Sequence, residues 1–296
     1  MKGIILAGGS GTRLHPITNV TSKQLVPIYD KPLIYYPMSV LMLAGITEIL
    51  IISTPEHISS LQKLFGDGQD LGLNVSYDIQ ATPGGTAEAF LIGEKFIGNS
   101  DVCMTLGDNL FYGNNLAKRL KDARKFVKQS GHAVLFSYYV NNPEDYGVVD
   151  YDKDGNALSI EEKPQYPKSS HAITGLGFYP NDVVKLAKKV KPSPRGELEN
   201  TDILIEYMRQ TRLNIIALGR GDAWLDAGTP EMLLEASNFV RTIEKRQGLK
   251  IACLEEIAFS TGLIDEAKMQ QHIDWYKNNP YGDYLIKIKE GRGLSL

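Results

Sequence analysis

The first residues of the chain combine a glycine-rich turn with two nearby cations. The apolar run Ile4–Ala7 leads directly into Gly8-Gly-Ser-Gly-Thr-Arg13, and Lys23 follows a few residues later. Backbone N–H groups of a bare glycine turn can approach an anion closely, and an arginine adds a rigid fork of donors. Two cations beside such a turn suit a triphosphate. We therefore predict a phosphate-binding loop; a turn without a ligand and a solvated Lys23 are the alternatives.

The spacing of this loop excludes the two commonest phosphate-binding patterns. No Gly-Lys-Ser/Thr follows at the distance that a Walker A loop requires. The dinucleotide fingerprint needs a third glycine where this chain has Leu14. The glycines alone therefore leave the type of ligand open.

Two aspartates are candidate metal ligands. Asp108 follows the apolar run Val102–Leu106, at the place where ligands bind beyond the carboxyl ends of parallel strands. Asp226 stands in Trp224-Leu-Asp226 and could instead cap a helix or turn. Mg²⁺ usually takes one or two carboxylates and fills its other positions with water and phosphate. The histidines are scattered, which disfavours zinc.

Three further polar segments could contact a base or a sugar. Gln80 ends the predicted strand Leu73–Ile79, and its carboxamide offers both a donor and an acceptor to the imide edge of a pyrimidine; a surface glutamine is the alternative. Glu161-Glu-Lys-Pro164 could bind sugar hydroxyls and a phosphate, or form a solvated strand end. Arg195 lies in a proline-stiffened loop, where an exposed arginine is the alternative.

The elements that would position these residues alternate between strand and helix in the first half. Strands are predicted at Gly3–Ala7, Glu48–Ser53, Leu73–Ile79 and Asp101–Leu106, and helices near Tyr36–Ala44, Glu56–Phe65, Thr86–Ile97 and Leu116–Lys128. This alternation favours βαβ units, a mostly parallel sheet and ligand loops along one edge. The second half is less regular, with strands at His132–Val140, Tyr146–Tyr151, His171–Tyr179 and Leu213–Gly219, and helices at Asn181–Lys189, Asn200–Gln210, Pro230–Arg246 and within 267–289.

Composition limits the function classes. The chain has 296 residues, 43% of them hydrophobic, enough for a large core without a disulfide or a structural metal. Cys103 and Cys253 are far apart, which favours a reducing cytoplasm. The first apolar run is too short for a signal peptide, and no run approaches the ~20 residues that span a bilayer. A net charge of −3 gives no support to nucleic-acid binding.

These signals together resemble one family, the sugar-1-phosphate nucleotidylyltransferases. The resemblance runs in order from about residue 2 to about residue 260. The blocks that carry it are Gly3–Pro16, Ser22–Leu25, Tyr29–Pro32, Leu106–Asn109, Tyr146–Val149, Glu161–Pro164, Pro192–Glu197 and Trp224–Asp226. Each block is moderately specific, and the ordered set is very specific.

The resemblance implies an α/β fold of the nucleotide-diphospho-sugar transferase type: a mostly parallel, Rossmann-like sheet flanked by helices, with an inserted sugar-binding lobe. It implies dTTP and glucose 1-phosphate as substrates and Mg²⁺ as cofactor. The implied nucleotide-binding residues are Gly8, Gly11, Thr12, Arg13, Lys23, Gln80, Gly85 and Asp108. The implied sugar-phosphate residues are Asn109, Tyr146, Gly147, Glu162, Lys163 and Arg195. Asp108 and Asp226 would hold the metal, and Arg13, Lys23, Asp108 and Lys163 would carry the catalysis.

The resemblance also implies a division of the chain and a regulated assembly. Residues 1–240 would form the catalytic domain, with the nucleotide half at about 1–130 and the sugar-phosphate part at about 131–228. Residues 241–296 would serve oligomerisation or regulation. Members are commonly homotetramers that a dTDP-deoxysugar inhibits at a site between subunits, where Glu255 and Glu256 are weak candidates.

The sequence leaves three other functions open. Family members usually carry Pro-Asp-Gly-Leu-Ala after the base-reading glutamine, whereas this chain has Pro83-Gly-Gly-Thr-Ala87. An uridylyl-, adenylyl- or guanylyltransferase is therefore an alternative. A sugar-nucleotide sensor on the same fold is a second. A GT-A glycosyltransferase is a third, but its Asp-X-Asp motif is absent because Asn109 and Leu110 follow Asp108.

Overall fold

The chain is described here by a computed structural model that covers residues 1–9, 11–153 and 155–292. Ser10 of the glycine loop and residues 293–296 of the C-terminal segment lie outside that description. The strands are β1 Lys2–Ala7, β2 Pro27–Ile28, β3 Lys31–Pro32, β4 Glu48–Ser53, β5 Asn74–Ile79, β6 Val102–Leu106, β7 Asn109–Gly113, β8 Ala133–Tyr139, β9 Gly147–Tyr151, β10 Ala157–Glu162, β11 His171–Tyr179, β12 Leu213–Ala217 and β13 Asp222–Asp226. The helices are α1 Tyr35–Leu43, α2 Ile58–Phe65, α3 Glu88–Ile92, α4 Glu94–Ile97, α5 Leu116–Ser130, α6 Val183–Ala187, α7 Asn200–Arg209, α8 Pro230–Gln247, α9 Leu254–Ser260, α10 Glu266–Trp275 and α11 Pro280–Lys289.

A nine-stranded sheet runs through the molecule in the order β10-β9-β11-β6-β1-β4-β5, and outside this order β8 pairs with β11 and β12 pairs with β8. Strands β5, β4, β1 and β6 pair in parallel. Strand β11 pairs antiparallel to β6 and so joins the second half of the chain to the same sheet. The expected α/β fold with a mostly parallel central sheet flanked by helices is confirmed.

Strand β1 lies in the middle of the sheet and is buried on both faces. Ile5 and Ala7 belong to one hydrophobic core, while Ile4 and Leu6 belong to the core on the opposite face. Successive side chains of a strand point to opposite faces, so a strand covered on both sides needs a continuous apolar run. This is why the glycine loop begins at a rigid position.

A separate two-stranded ladder lies beside this sheet and was not predicted. Strands β7 and β13 pair antiparallel, and the register sets Asp226 opposite Asn109. The N–H of Ala227 then donates to the carbonyl of Asp108 at 3.1 Å. The ladder therefore brings the two predicted metal ligands, distant in sequence, to neighbouring positions.

The C-terminal helices pack on the first half of the chain. Leu254 of α9, Met269 of α10 and Leu285 of α11 are fully buried in the same core as Met38 of α1. Within the described residues, no helix is both long and apolar enough to cross a membrane.

Candidate active site

The glycine loop leaves β1 and turns sharply at Gly11. Gly11 has a φ of 62°, in the left-handed region that favours glycine, and Thr18 Oγ1 donates to its carbonyl at 2.7 Å. A side chain at Gly11 would also collide with Thr18. Arg13 follows with an exposed side chain that hydrogen-bonds to none of the residues described by the structure. Its guanidinium is thus free to take an anion.

Lys23 is buried and is held against Asp108. Its side chain is only 8% exposed, and Nζ lies 2.5 Å from Asp108 Oδ2. Burial alone would raise the pKa of Asp108, but the Lys23 ammonium, together with hydrogen bonds from Asn109 and the backbone, lowers that pKa. The alternative of a solvated lysine is therefore wrong. The pair places one cation and one carboxylate at the carboxyl end of β6.

Asp226 completes an acidic pair with Asp108. Tyr146 donates a hydrogen bond from its hydroxyl to Asp226 Oδ1 at 2.9 Å, and its ring packs edge-on against Trp224 with centroids 5.1 Å apart. Burial raises the pKa of Asp226, the Tyr146 hydrogen bond opposes the rise, and the charge of Asp108 adds to it. The positive charge and hydrogen bonding around Asp226 thus do not offset its burial and the charge of Asp108.

This acidic pair fits a magnesium ion by its chemistry. Carboxylate oxygens are hard ligands, and Mg²⁺ takes one or two of them together with water and substrate phosphates. No cluster of three or more potential ligands occurs within the described ranges, so a cation here would rely on its substrate for further ligands. A cation would also balance the charge of Asp226.

The side chain of Asn109 orients Asp108. Asn109 is buried; its Nδ2 donates to Asp108 Oδ1 at 2.8 Å. Its Oδ1 accepts from the backbone N–H of Gly175 and from Trp224 Nε1. The contact of Asn109 with a sugar stays a prediction, while its hydrogen bonds fix the carboxylate beside it.

Strands β9 and β10 build the other wall of the cleft. Gly147 pairs with Glu162, and a side chain at Gly147 would crowd Thr201 and the Glu162 carboxylate. Lys163 has a φ of 44°, and its N–H donates to the carbonyl of Tyr146 at 3.0 Å. Its side chain is exposed and hydrogen-bonds to no residue in the part of the chain that the structure describes.

Arg195 is surrounded by carboxylates, two of which sequence reasoning missed. It pairs with Glu199 at 2.8 Å, with Glu197 at 3.0 Å and with Glu162 at 3.7 Å. Burial and the charge of Glu199 raise the pKa of Glu162, and Arg195 opposes that rise. The carboxylates that follow Arg195 in the sequence, Glu197 and Glu199, could have marked this cluster. Their pairing with Arg195 depends on the loop conformation, which the sequence does not show.

At the far end of the loop, Gln80 reaches back to the glycines. Gln80 is 4% exposed, and its Oε1 lies where a side chain at Gly8 would stand. Its Nε2 donates to the carbonyl of Gly85 at 3.3 Å and to Glu88 Oε2 at 2.6 Å. Glu88 is a further residue that sequence reasoning missed, because nothing local marks it as a partner of Gln80.

The cleft has two cavities, which we call the loop cavity and the inner cavity. The predicted residues that line the loop cavity are Gly8, Gly11, Thr12, Arg13, Lys23, Gln80, Gly85 and Asp108. Those that line the inner cavity are Arg13, Asp108, Asn109, Tyr146, Gly147, Glu162, Lys163, Arg195 and Asp226. Arg13 and Asp108 are common to both. The structure therefore brings every predicted nucleotide, sugar and metal residue into one cleft.

Glu255 and Glu256 lie apart from this cleft, in a buried cluster of tyrosines. Tyr281 donates to Glu255 Oε2 at 2.6 Å, and Tyr284 donates to Glu256 Oε2 at 2.7 Å. Both glutamates are at most 4% exposed. Their predicted regulatory role is a prediction still, since helix α11 covers them.

The buried position of Glu256 predicts a pH-dependent stability. Burial raises the pKa of Glu256 from 4.5 to about 7. The folded chain then binds more protons than the unfolded chain between these values, so stability falls as pH rises through this window. Glu256→Gln removes this titration. The unfolding free energy of the variant minus that of the parent should therefore be about 2 kcal/mol larger at pH 8 than at pH 5.

Denaturant unfolding of parent and variant at the two pH values measures this difference. Glu235→Gln, at an exposed position of α8, is the control, and its unfolding free energy should differ from that of the parent by the same amount at both pH values. If Glu256→Gln also differs from the parent by the same unfolding free energy at both pH values, the pKa of Glu256 is not raised.

Comparisons with known proteins show the family of the chain. The family model described as "Nucleotidyl transferase" matches residues 2–243. A glucose-1-phosphate thymidylyltransferase of Neisseria meningitidis is 54% identical, over 97% of this chain and 99% of the relative. One from Mycolicibacterium smegmatis is 51% identical, over 97% and 99%.

A solved structure has the same architecture. A crystal structure of UDP-glucose pyrophosphorylase with UDP-glucose superposes with a TM-score of 0.72 at 26% identity, over 82% of this chain and 98% of that one. A family model that spans most of the chain and relatives at this identity leave no doubt about descent. The chain belongs to the nucleotidyl transferase family and, within it, to the glucose-1-phosphate thymidylyltransferases.

Proposed function

We propose that this enzyme transfers a thymidylyl group from dTTP to α-D-glucose 1-phosphate, giving dTDP-glucose and pyrophosphate. The observation that carries the proposal is the pair of cavities joined at Arg13 and Asp108. A triphosphate in the loop cavity and a sugar phosphate in the inner cavity would meet at these two residues. The names of the relatives support the choice of substrates.

The chemistry needs charge control more than proton transfer. A phosphate oxygen of the sugar phosphate attacks the α-phosphorus, the bond from the α-phosphorus to the bridging oxygen breaks, and pyrophosphate leaves with the electron pair. The attacking phosphate is already anionic, so no general base is required. Two like charges ~4 Å apart repel by about 4 kcal/mol at an effective dielectric of 20, which makes neutralisation of charge the main task.

The residues of the chain divide this task. Arg13, which lines both cavities, would hold phosphate oxygens near the reacting phosphorus. Lys163, exposed and without a hydrogen-bonding partner among the described residues, would take the sugar phosphate. The Lys23 ammonium would serve the triphosphate while holding Asp108. Positioning and electrostatics of this kind dominate phosphoryl transfer.

Mg²⁺ would be held by Asp108 and Asp226 and would neutralise charge that develops on the phosphates. Tyr146 and Asn109 keep the two carboxylates in place through their hydrogen bonds. Around the sugar, Glu162 would accept hydrogen bonds from hydroxyl groups. Arg195 keeps Glu162 and Glu199 together in the same wall.

The finer features of the proposal concern organisation. We place the catalytic domain at residues 1–240 and a C-terminal segment for oligomerisation or regulation at 241–296; the family match at 2–243 supports this boundary. A homotetramer inhibited by a dTDP-deoxysugar, and a role in the first step of deoxysugar synthesis, are inferred from the family resemblance. The two free, buried cysteines are compatible with the cytoplasm.

Release of pyrophosphate from a panel of nucleotides tests the proposal. With glucose 1-phosphate and Mg²⁺, dTTP should react faster than UTP, ATP or GTP, and EDTA should stop the reaction. Faster turnover of another nucleotide would replace thymidylyl transfer by the corresponding reaction. Tight binding of dTDP-glucose without any turnover would identify a sensor, and transfer of the sugar to an acceptor would identify a glycosyltransferase.

A further inference from the structure

The carboxamide of Gln80 is held in one of its two orientations by its neighbours. The two N–H bonds of Nε2 point to two acceptors, the carbonyl of Gly85 at 3.3 Å and the Glu88 carboxylate at 2.6 Å. Turning the amide over would place Oε1 against the Glu88 carboxylate, acceptor against acceptor. A primary amide has only two hydrogens, so Nε2 is fully used.

The oxygen of the same carboxamide is left for a ligand. Gln80 Oε1 lies where a side chain at Gly8 would stand, and both residues line the loop cavity. It accepts no hydrogen bond from residues 1–9, 11–153 or 155–292. Gln80 therefore offers an acceptor, and no donor, to whatever base enters.

The position of Glu88 depends on the glycine turn before it. Its carboxylate lies where a side chain at Gly84 would stand, so only glycine leaves room for it. The turn is fastened to the opposite wall: Leu198 donates to the Gly84 carbonyl at 2.8 Å, and Ala87 donates to the Leu198 carbonyl at 2.9 Å. The backbone that leads into Glu88 is consequently held against the segment around Leu198.

We propose that Glu88 is a positioning residue for base selection, which it exerts by fixing the orientation of the Gln80 carboxamide. The inference rests on the proposed function, because it takes the base of the nucleotide to lie beside Gln80. An exposed Oε1 accepts a hydrogen bond from the imide N–H of thymine or uracil. The ring nitrogen at the same place in cytosine is itself an acceptor, so a cytosine nucleotide is rejected.

The substitution Glu88→Gln tests this with little change of shape. A carboxamide at position 88 can present either its oxygen or its N–H groups, so Gln80 is free to turn over. The ratio of kcat/KM for dTTP to kcat/KM for dCTP should fall roughly 10- to 100-fold, about the value of one base-reading contact. The change should appear in KM for the nucleotides, with kcat for dTTP and KM for glucose 1-phosphate close to the parent values.

A matched variant controls for the lost charge. Glu94→Gln removes one exposed carboxylate from the adjacent helix α4, where Glu94 pairs with Lys188, and should leave the ratio unchanged. If the parent turns over dTTP and Glu88→Gln has the same ratio as the parent, the role of Glu88 is overturned and the proposed function stands. A parent that releases no pyrophosphate from dTTP would overturn both.

Discussion

Asp226→Asn should lower kcat by roughly 10²–10³-fold, with little change in the thermal stability of the chain. Asparagine can still accept the Tyr146 hydrogen bond, so the shape of the wall is kept and only the charge is lost. The concentration of Mg²⁺ needed for half-maximal activity should rise as well. Steady-state pyrophosphate release across a Mg²⁺ titration measures both effects.

Asp108→Asn should also abolish activity and Mg²⁺ dependence together, but it leaves the buried Lys23 without its partner. Asp226→Asn is therefore the clearer experiment of the two. Asp122→Asn, exposed on α5, removes the same charge far from the cleft and is the control. Wild-type activity with an unchanged Mg²⁺ requirement in Asp226→Asn would show that Asp226 is not a ligand.

Arg13→Ala should lower kcat by roughly 10²–10³-fold with the fold intact, the usual effect of losing one aimed donor. The side chain is exposed and hydrogen-bonds to no described residue, so its removal breaks no contact of that kind in the folded chain. Arg13→Lys should recover part of the rate, because an ammonium keeps the charge but loses the fork of donors. Turnover with dTTP and melting temperature are the two measurements.

An exposed arginine elsewhere provides the comparison for this variant. Arg241→Ala on α8 removes an equal charge and should leave kcat unchanged. Near-normal turnover in Arg13→Ala would refute the assignment of the loop as the phosphate site. Loss of activity together with a large fall in melting temperature would instead show that Arg13 supports the fold.

The parts of the fold that follow from local pattern could be predicted from the sequence. The continuous apolar run of β1 predicts a buried strand, and the spacing of apolar residues in the crossover helices predicts helices. The predicted helix at 86–97 is wrong in one respect, since it is two helices that meet at Gly93. A side chain at Gly93 would collide with Ile4 of β1, so glycine allows a close approach there at the expense of helix continuity.

The parts of the site that depend on distant contacts could not be predicted from residue patterns alone. Each strand of the β7–β13 ladder is short and forms by pairing with the other, which is distant in sequence. Lys23 reads as a surface residue until its partner Asp108 is known. Glu88 looks like an ordinary first-turn residue of α3, and only the fold sets it beside Gln80.

The pairing of β7 with β13 also means that the acidic pair is completed late in the synthesis of the chain. Asp108 leaves the ribosome long before Asp226, so a nascent chain that ends short of β13 carries only one of the two proposed metal ligands. Such a chain lacks the second carboxylate and the strand that pairs with β7. If the two carboxylates act as proposed, nucleotide turnover requires that β13 has been made and has paired with β7.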